Sequence, residues 1–426
     1  MVTPTDAPAS AAPAPPGFLA TLWEQHLDEV GFLFGQWRAA LADSDHTIGS
    51  VGELEERIRA HLEGVRVPGE QAIPPLVEAL EGDDPDLAFS AAYALASRGD
   101  EPAAELVVGA FEAADPEAIQ PLALALAYSP LPQPLLARLR TQLGGEAPGR
   151  AIAAAEVLAF HRALELSGAE LRYFLEHEDP AVRTRAWRLA GLVGAAVPAK
   201  AYAAALQDED PAVGHAALEA GAWCGEAGVL PALRQIAAAP TPERLPALRL
   251  LAALGGPGDV PIMERIAASA ALGPERFRVL AAYGHPRLVE PLIAALGDED
   301  PKTAAAAGTA FERLTGVDIA SNETATERPP EGAEPDEFEA EFLEEVVVPD
   351  PELARQAWRR LEPTLGGAQR LCRGVDLAGR IDAAALETLD MESRRDLYLR
   401  ARLSGAWKGT AVQLEVFPQR PETREG

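Results

Sequence analysis

Helix-length apolar segments alternate with short polar turns between residues 70 and 316. Val182, Ala186 and Leu189 show the spacing within one segment, and the segment at 73–82 has the same period. Apolar residues three or four positions apart share one face of an α-helix, whereas those of a strand alternate. The pattern therefore predicts a series of amphipathic helices.

A ladder of prolines marks where half of these helices begin. Eight prolines follow one another at intervals of 27 to 32 residues: Pro85, Pro116, Pro148, Pro180, Pro211, Pro242, Pro274 and Pro301. Six of them follow a residue whose side chain can cap a helix: Asp84, Asp115, Asp179, Asp210, Thr241 and Asp300. Such a side chain accepts a hydrogen bond from the first turn, and proline at the first helical position loses no intrahelical bond. Each proline is predicted to start the second helix of a pair.

A pair of helices in a unit of about 31 residues cannot bury its apolar face alone, so neighbouring pairs must stack. Alanine dominates the predicted contact positions, which lets helices approach closely. We therefore predict an all-α fold, an α-α superhelix in which about eight helix pairs form a solenoid with helical caps at both ends.

The segments outside the repeats complete the predicted domain organisation. Residues 17–66 hold two amphipathic helices, the second with a capping box of Ser50 and Glu53, and form a predicted N-terminal cap. Short helices at 353–361, 383–389 and 391–403 are predicted within a C-terminal cap. The full division is a disordered Pro/Ala-rich tail (1–16), N-terminal helical cap (17–66), solenoid (67–316), acidic linker or docking segment (317–352), C-terminal helical cap (353–416) and tail (417–426).

The repeat units resemble those of a known family. The period of about 31 residues and the units Glu-Asp-Pro-Ala-Val at 178–182 and 209–213 are similar to HEAT repeats, particularly the short class related to phycobilin-lyase repeats. The likeness covers about residues 70–316 and implies that the second helices line a concave surface. An arginine three places after the proline occurs only as Arg183, so the Asp/Arg ladder of that class is mostly absent. Tetratricopeptide repeats fit less well, because their period is 34 residues.

A second resemblance spans nearly the whole chain. Residues 22–37, 54–70 and 312–319 are similar to an uncharacterised proteobacterial HEAT-repeat family whose genes often lie beside type VI secretion genes. That family has no established activity or functional residues. The resemblance implies an accessory of such a secretion system.

Charge narrows the range of partners. Lys and Arg number 37 against 66 Asp and Glu, for a net charge of -29. This charge repels phosphate backbones and anionic membrane surfaces, so we expect no nucleic acid and no membrane as partners. Every apolar run is too short to span a bilayer. The N-terminal residues lack the features of a secretory signal, and two distant cysteines give no disulfide framework, so a cytoplasmic location is expected.

The sequence contains no recognised motif for nucleotide hydrolysis, nucleophilic catalysis or metal binding. The sequence has no P-loop and no nucleophile elbow, and its histidines never recur at the helical spacing of a metal site. We expect no catalytic residue, cofactor or metal, and hence a non-enzymatic scaffold or adaptor that binds a protein partner. The alternative is an enzyme or enzyme subunit, lyase-like by analogy with the repeats, whose groove would bring together histidine, carboxylate and Cys224 or Cys372.

Arginines of the second helices form a candidate partner-binding strip. The quartets at 242–245 and 274–277 place Arg244 and Arg276 in register, and Arg185 and Arg188 share a helical face. The candidate residues are Arg183, Arg185, Arg188, Arg244, Arg249, Arg276 and Arg278. Ordinary pairing of these arginines with carboxylates of neighbouring repeats is the alternative.

The acidic segment is a candidate ligand for this strip. Residues 331–352 hold ten acids and no Lys or Arg, with apolar residues between the acids. The candidate docking residues are Asp336, Glu337, Phe338, Glu339, Glu341, Phe342, Glu344 and Glu345. They dock either within the chain or on a partner, or else the segment is an unstructured spacer.

Overall fold

The computed structural model describes residues 16–82, 84–145, 147–326, 345–378 and 383–415. Within them the α-helices are α1 (Pro16–Ala40), α2 (Ile48–Arg66), α3 (Ile73–Leu80), α4 (Pro85–Ala96), α5 (Glu101–Ala113), α6 (Ile119–Ala127), α7 (Gln133–Thr141), α8 (Pro148–Phe160), α9 (Gly168–Leu175), α10 (Pro180–Val193), α11 (Ala199–Ala205), α12 (Pro211–Cys224), α13 (Val229–Ile236), α14 (Leu245–Leu254), α15 (Val260–Ala267), α16 (Glu275–Tyr283), α17 (Val289–Ala295), α18 (Pro301–Thr315), α19 (Pro351–Leu365), α20 (Ala383–Thr388), α21 (Met391–Leu403) and α22 (Val412–Glu415). The strands are β1 (Ala320–Thr326), β2 (Glu345–Pro349), β3 (Leu371–Cys372) and β4 (Val375–Asp376). None of the described helices has both the length and the apolar character needed to cross a membrane.

Helices α3 to α18 form eight consecutive pairs among the residues described, which confirms the prediction of an all-α fold of about eight helix pairs. Each second helix packs on its own first helix and on the second helix of a neighbouring pair, as α10 does on α12. The small residues of the second helices allow this close approach. A Cβ atom on Gly191 of α10 would lie 2.9 Å from the Cα atom of Ala220 in α12.

The chain divides into two compact units. Unit 1 consists of Met1–Arg38 and Glu53–Leu164 and holds the pairs from α3 to α8. Unit 2 consists of Ala39–Gly52 and Glu165–Gly426 and holds the pairs from α9 to α18. The segment 67–316, predicted as one solenoid, is therefore shared between the two units.

The predicted proline starts are confirmed where aspartate caps the helix. The side chains of Asp84, Asp179, Asp210 and Asp300 accept backbone N–H groups of the helix that follows. The predictions at Pro116 and Pro242 were wrong by three residues, because a turn follows each proline before α6 and α14 begin. In these turns the N–H groups of Ala118 and Arg244 donate to the carbonyls of Asp115 and Thr241, each at 3.0 Å.

The second helix of the chain begins earlier than predicted. Helix α2 starts at Ile48, so Thr47 is the capping residue and the prediction of Ser50 as the cap was wrong. The Thr47 N–H donates to Ser50 Oγ at 2.9 Å, and the Ser50 N–H donates to Thr47 Oγ1 at 3.4 Å. This reciprocal pairing is a capping box moved three residues toward the N-terminus.

Aromatic side chains join α1 to the second helices of unit 1. The ring of Phe34 lies 4.6 Å from Phe89, 5.3 Å from Tyr93 and 5.2 Å from Tyr128, measured between centroids. Phe34, Phe89 and Tyr93 are buried. Helix α1 therefore covers apolar surface of the first repeats, which is the role expected of a solenoid cap.

A partly buried histidine gives unit 1 a pH dependence. His161 Nε2 lies 2.9 Å from the carbonyl oxygen of Leu126, and burial lowers the pKa of His161 more than this carbonyl raises it. The unfolded chain, with a histidine pKa of about 6.5, then binds a proton more readily than the folded chain. The contribution of His161 to the free energy of unfolding is therefore fully present above pH 6.5, and it is lost as the pH falls below that value.

We expect His161→Gln to flatten this dependence, because glutamine does not titrate in this pH range. Its amide can still donate to the Leu126 carbonyl, so the hydrogen bond is kept. The free energy of unfolding of unit 1, followed by hydrogen exchange between pH 7.5 and 5.5, should fall less steeply in the variant than in the parent chain. Identical slopes in the two proteins would show that His161 does not carry the effect.

The C-terminal region of unit 2 contains the three short helices predicted for it. Helix α19 packs on the last pair, α17 and α18, whereas α21 packs on α12 and α14. Strands β1 and β2 pair antiparallel, with Thr324 opposite Val347, and β2 lies against α18. The predicted acidic linker thus begins and ends in a two-stranded sheet.

A short segment, residues 370–374, crosses the C-terminal ends of three second helices, and we call it the C-terminal strap. The guanidinium of Arg370 donates to the carbonyls of Ala252 at 2.7 Å, Ala282 at 2.9 Å and Gly255 at 2.6 Å. The N–H groups at positions 371, 373 and 374 donate to the carbonyls at 284, 313 and 314. The strap therefore satisfies carbonyl groups that the ends of α14, α16 and α18 leave without intrahelical partners.

Candidate functional site

The structure places Arg183 in a link between two repeats. Its Nε and Nη2 atoms donate to the two carboxylate oxygens of Asp208, both at 2.8 Å, and its Nη1 atom donates to the carbonyls of His177 and Glu178. Asp208 lies in the turn of the next repeat, just before α12. For Arg183 this geometry matches the alternative hypothesis, in which the arginine forms an ion pair with a carboxylate of the neighbouring repeat.

Arg244 and Arg276 are both engaged near their own helix starts. Arg244 Nη1 donates to the carbonyls of Ile236 and Ala239. Arg276 is buried, donates to the carbonyl of Gly273 at 2.7 Å and lies 4.2 Å from the centre of the Phe277 ring. Burial lowers the pKa of Arg276, with Asp298 and Asp300 acting in the opposite direction.

Arg249 and Arg278 bind an acidic face of the chain's own helix α21. Arg249 Nε donates to Glu392 Oε1 at 2.8 Å, and its Nη2 atom donates to Asp396 Oδ2 at 2.6 Å. Arg278 Nη2 lies 3.4 Å from the same oxygen of Glu392. The second helices α14 and α16 thus hold an acidic segment, but one that sequence analysis had not selected.

Most of the selected acidic segment, residues 331–344, lies outside the described residues. Of the eight candidate docking residues, the structure describes only Glu345, which is exposed in β2 and lies within 3.5 Å of Thr324 Oγ1. Docking of residues 331–352 therefore stays a prediction.

A cleft of about 390 Å³ opens beside α21 within unit 2. Apolar side chains of α14, α16 and α21, including Leu250, Val279 and Leu399, form part of its wall. Its ionisable lining residues are His215, Glu219, Arg249, Glu275, Arg278, Glu392, Arg395 and Asp396. The cleft therefore combines apolar surface with charges of both signs.

The charges in the deeper part of the cleft are paired. Burial alone would raise the pKa of Glu392, but Arg249, Arg313 and Arg278 together hold it below its ordinary value. Glu219 likewise has a lowered pKa, because the nearby Arg395, His215 and Arg188 outweigh the effect of burial. Both carboxylates therefore stay charged at neutral pH.

Two ionisable side chains at the cleft are more open to solvent. The side chain of Arg278 is 54% exposed, and Glu275 is an exposed residue one turn before it on α16. Arg188 is also exposed, and its charge lowers the pKa of His215 after the larger effect of burial. Arg185 lies one turn away from Arg188 on α10 and already has an interaction partner. Charged groups are thus available to a partner at the mouth of the cleft.

Cys372 contacts a carboxylate and a hydroxyl group in the interior of unit 2. Cys372 Sγ lies 3.4 Å from Asp390 Oδ2 and 3.3 Å from Ser393 Oγ, but all three residues are buried. Burial raises the pKa of Cys372 to about 12, which keeps the thiol protonated. Among the residues described, no three His, Cys, Asp or Glu side chains converge as they would at a metal ion.

Sequence analysis missed Glu392, Asp396 and Arg395 as members of the site. Their helix was predicted, and the spacing of Glu392 and Asp396 places them on one face. The packing of α21 on α12 and α14 could not be predicted, because no local sequence pattern indicates which repeats a distant helix will contact.

One family model matches part of the repeat region. Residues 168–252 match the family model for HEAT repeats. No curated protein matches the chain.

Among solved structures, the Escherichia coli protein YibA is 12% identical, with 56% of this chain and 90% of that chain covered and a TM-score of 0.39. Kap121p is 14% identical, with 69% and 42% covered and a TM-score of 0.29. Human deoxyhypusine hydroxylase in complex with glycerol is 18% identical, with 69% and 97% covered and a TM-score of 0.21.

Proposed function

We propose that this chain is a non-enzymatic protein-binding scaffold or adaptor, and that the cleft beside α21 is its recognition surface. The observation that carries the proposal is the composition of the cleft: apolar walls, internally paired charges and a half-exposed guanidinium at Arg278. Protein interfaces combine these features, with a buried apolar centre and arginine among the residues that contribute most to affinity.

The reactive groups of the region support binding over catalysis. The Cys372 thiol is protonated and buried. The carboxylates of Glu219 and Glu392 are charged, and each forms an ion pair with an arginine. A general base or nucleophile needs a free reactive form that can reach a substrate. The proposal also includes a cytoplasmic location and an accessory role in a type VI secretion system, supported by the resemblance of residues 22–37, 54–70 and 312–319.

We expect Arg278→Ala to weaken partner binding, because this guanidinium is available at the mouth of the cleft. Its ion pair with Glu392 is long and its own side chain is half-exposed, while Glu392 keeps its shorter ion pairs with Arg249 and Arg313, so the fold should stay intact. Arg265→Ala is the matched control, since Arg265 is an exposed arginine on the first helix α15 and does not line the cleft.

The tagged parent chain and both variants should be used for affinity capture from the native cytoplasm at low and moderate salt. A specific partner should be recovered with the parent chain and with Arg265→Ala. Its dissociation constant, measured with the purified partner, should rise about tenfold or more in Arg278→Ala, as for an interface hot spot. Equal binding by all three proteins would refute the cleft as the recognition surface.

A further inference from the structure

Two histidine rings from different helices meet in unit 1. His26 lies on α1 and His61 on α2, and their Nδ1 atoms are 3.2 Å apart. The ring centres are separated by 5.0 Å and the planes are inclined by 70°. The spacing rule that excluded a histidine pair within one helix does not apply to this pair, because 35 residues separate its members.

Gly64 creates the space that the His26 ring occupies. A Cβ atom at position 64 would lie 2.6 to 2.7 Å from three atoms of that ring. Gly64 is three residues beyond His61, so both contact His26 from the same face of α2. Any side chain at position 64 would displace the ring, and the absence of one fixes the two imidazoles next to each other.

We propose that His26 and His61 together bind one divalent transition-metal ion such as Zn²⁺ through their Nδ1 atoms. Bonds of about 2.0–2.1 Å to a tetrahedral ion place two nitrogen ligands roughly 3.3 Å apart. The observed Nδ1 separation of 3.2 Å matches this distance, and the ion would take the place of the hydrogen bond between the two nitrogens. Water completes the coordination, since no third ligand side chain converges here among the described residues.

An acidic residue lies near the pair. Glu29 is one turn beyond His26 on α1, and its negative charge acts on His61, so it would also favour a bound cation. The ion would link α1 to α2 and so stabilise the N-terminal pair of helices.

The test is calorimetric titration of ZnCl₂ into the metal-free full-length chain at pH 7.5. We expect one saturable site per chain, lost in His26→Asn and in His61→Asn. Gly64→Ala, which retains both imidazoles but displaces one ring, should weaken binding about tenfold or more. His177→Asn removes a histidine from unit 2 and is the matched control, for which the same affinity as the parent chain is expected.

A spectroscopic readout on the parent chain avoids dependence on the folding of any variant. Zn²⁺ should shift the imidazole resonances of His26 and His61 together, and it should raise the melting temperature of the chain. The proposal would be overturned by resonances that do not move at saturating Zn²⁺, or by undiminished binding in the double variant H26N/H61N.

Discussion

Replacing Arg370 with methionine is expected to lower the free energy of unfolding of unit 2 by about 3 kcal/mol or more. The guanidinium donates to three buried carbonyls at the ends of α14 and α16, and methionine would leave all three without this partner. Each buried polar group left unsatisfied costs about 1–3 kcal/mol. Relief from burying the charge offsets part of this loss, so the expected value lies near the low end of the sum.

The charge and the shape of Arg370 both matter at this place. Burial, and next the charge of Arg400, lower the pKa of Arg370 to about 9, so the side chain is still charged at neutral pH. A positive charge is favourable at helix C-termini because the helix dipole is negative there. The planar fork spreads its donors over separate nitrogens and so reaches carbonyls of two helices, whereas all three donors of a lysine ammonium start from one nitrogen.

Two substitutions complete this experiment. Arg370→Lys should lose less stability than Arg370→Met, because it keeps the charge but not the fork. Arg360→Met, at an exposed position on α19, should change stability by less than about 0.5 kcal/mol. Urea unfolding, together with hydrogen exchange of residues 252–255 and 282–284, measures the effect. An unfolding midpoint for Arg370→Met equal to that of the parent would contradict the capping role of the strap.

The sequence predicted the helix pairs well because their determinants are local. A cap such as Asp179 and the proline after it act within one turn of the helix they begin, so their pattern can be read directly. The same argument explains the errors at Pro116 and Pro242, where a proline also suits the turn before a helix. A proline and a capping residue mark a change of direction, but they do not fix the residue at which the helix starts.

The candidate site was predictable only in part, because it depends on contacts between distant residues. Arg249 was selected as a candidate partner-binding residue of the second helices, and in the structure it binds Glu392, which is 143 residues away in the chain. A metal site was excluded because no two histidines recur at a helical spacing, whereas His26 and His61 meet across two helices. Chemistry assembled across helices leaves no spacing pattern in one sequence, whereas chemistry on a single helix does.

Asp390→Ala is the second substitution from which a large loss is expected, about 3–5 kcal/mol. Asp390 is fully buried and accepts hydrogen bonds from Arg313 Nη2 at 3.1 Å and from the N–H of Ser393 at 2.7 Å. Arg313 is also buried, and its Nη1 atom lies 2.6 Å from Glu392 Oε2. Removing one partner of a buried ion pair leaves the other charge poorly compensated, and this is the main source of the loss.

A double-mutant cycle separates that charge effect from the loss of a helix cap. Asp350→Ala is the matched control, because Asp350 caps α19 in the same way but is only partly buried, and about 1 kcal/mol is expected. The double variant D390A/R313M should be more stable than Asp390→Ala, since it removes the uncompensated charge together with its partner. Urea unfolding of the four proteins of the cycle gives the coupling energy. If the double variant lost the sum of the two single effects, Arg313 and Asp390 would act independently. Helix α21 would then be held on α12 and α14 by its apolar contacts and by the pairs that Arg249 and Arg395 form.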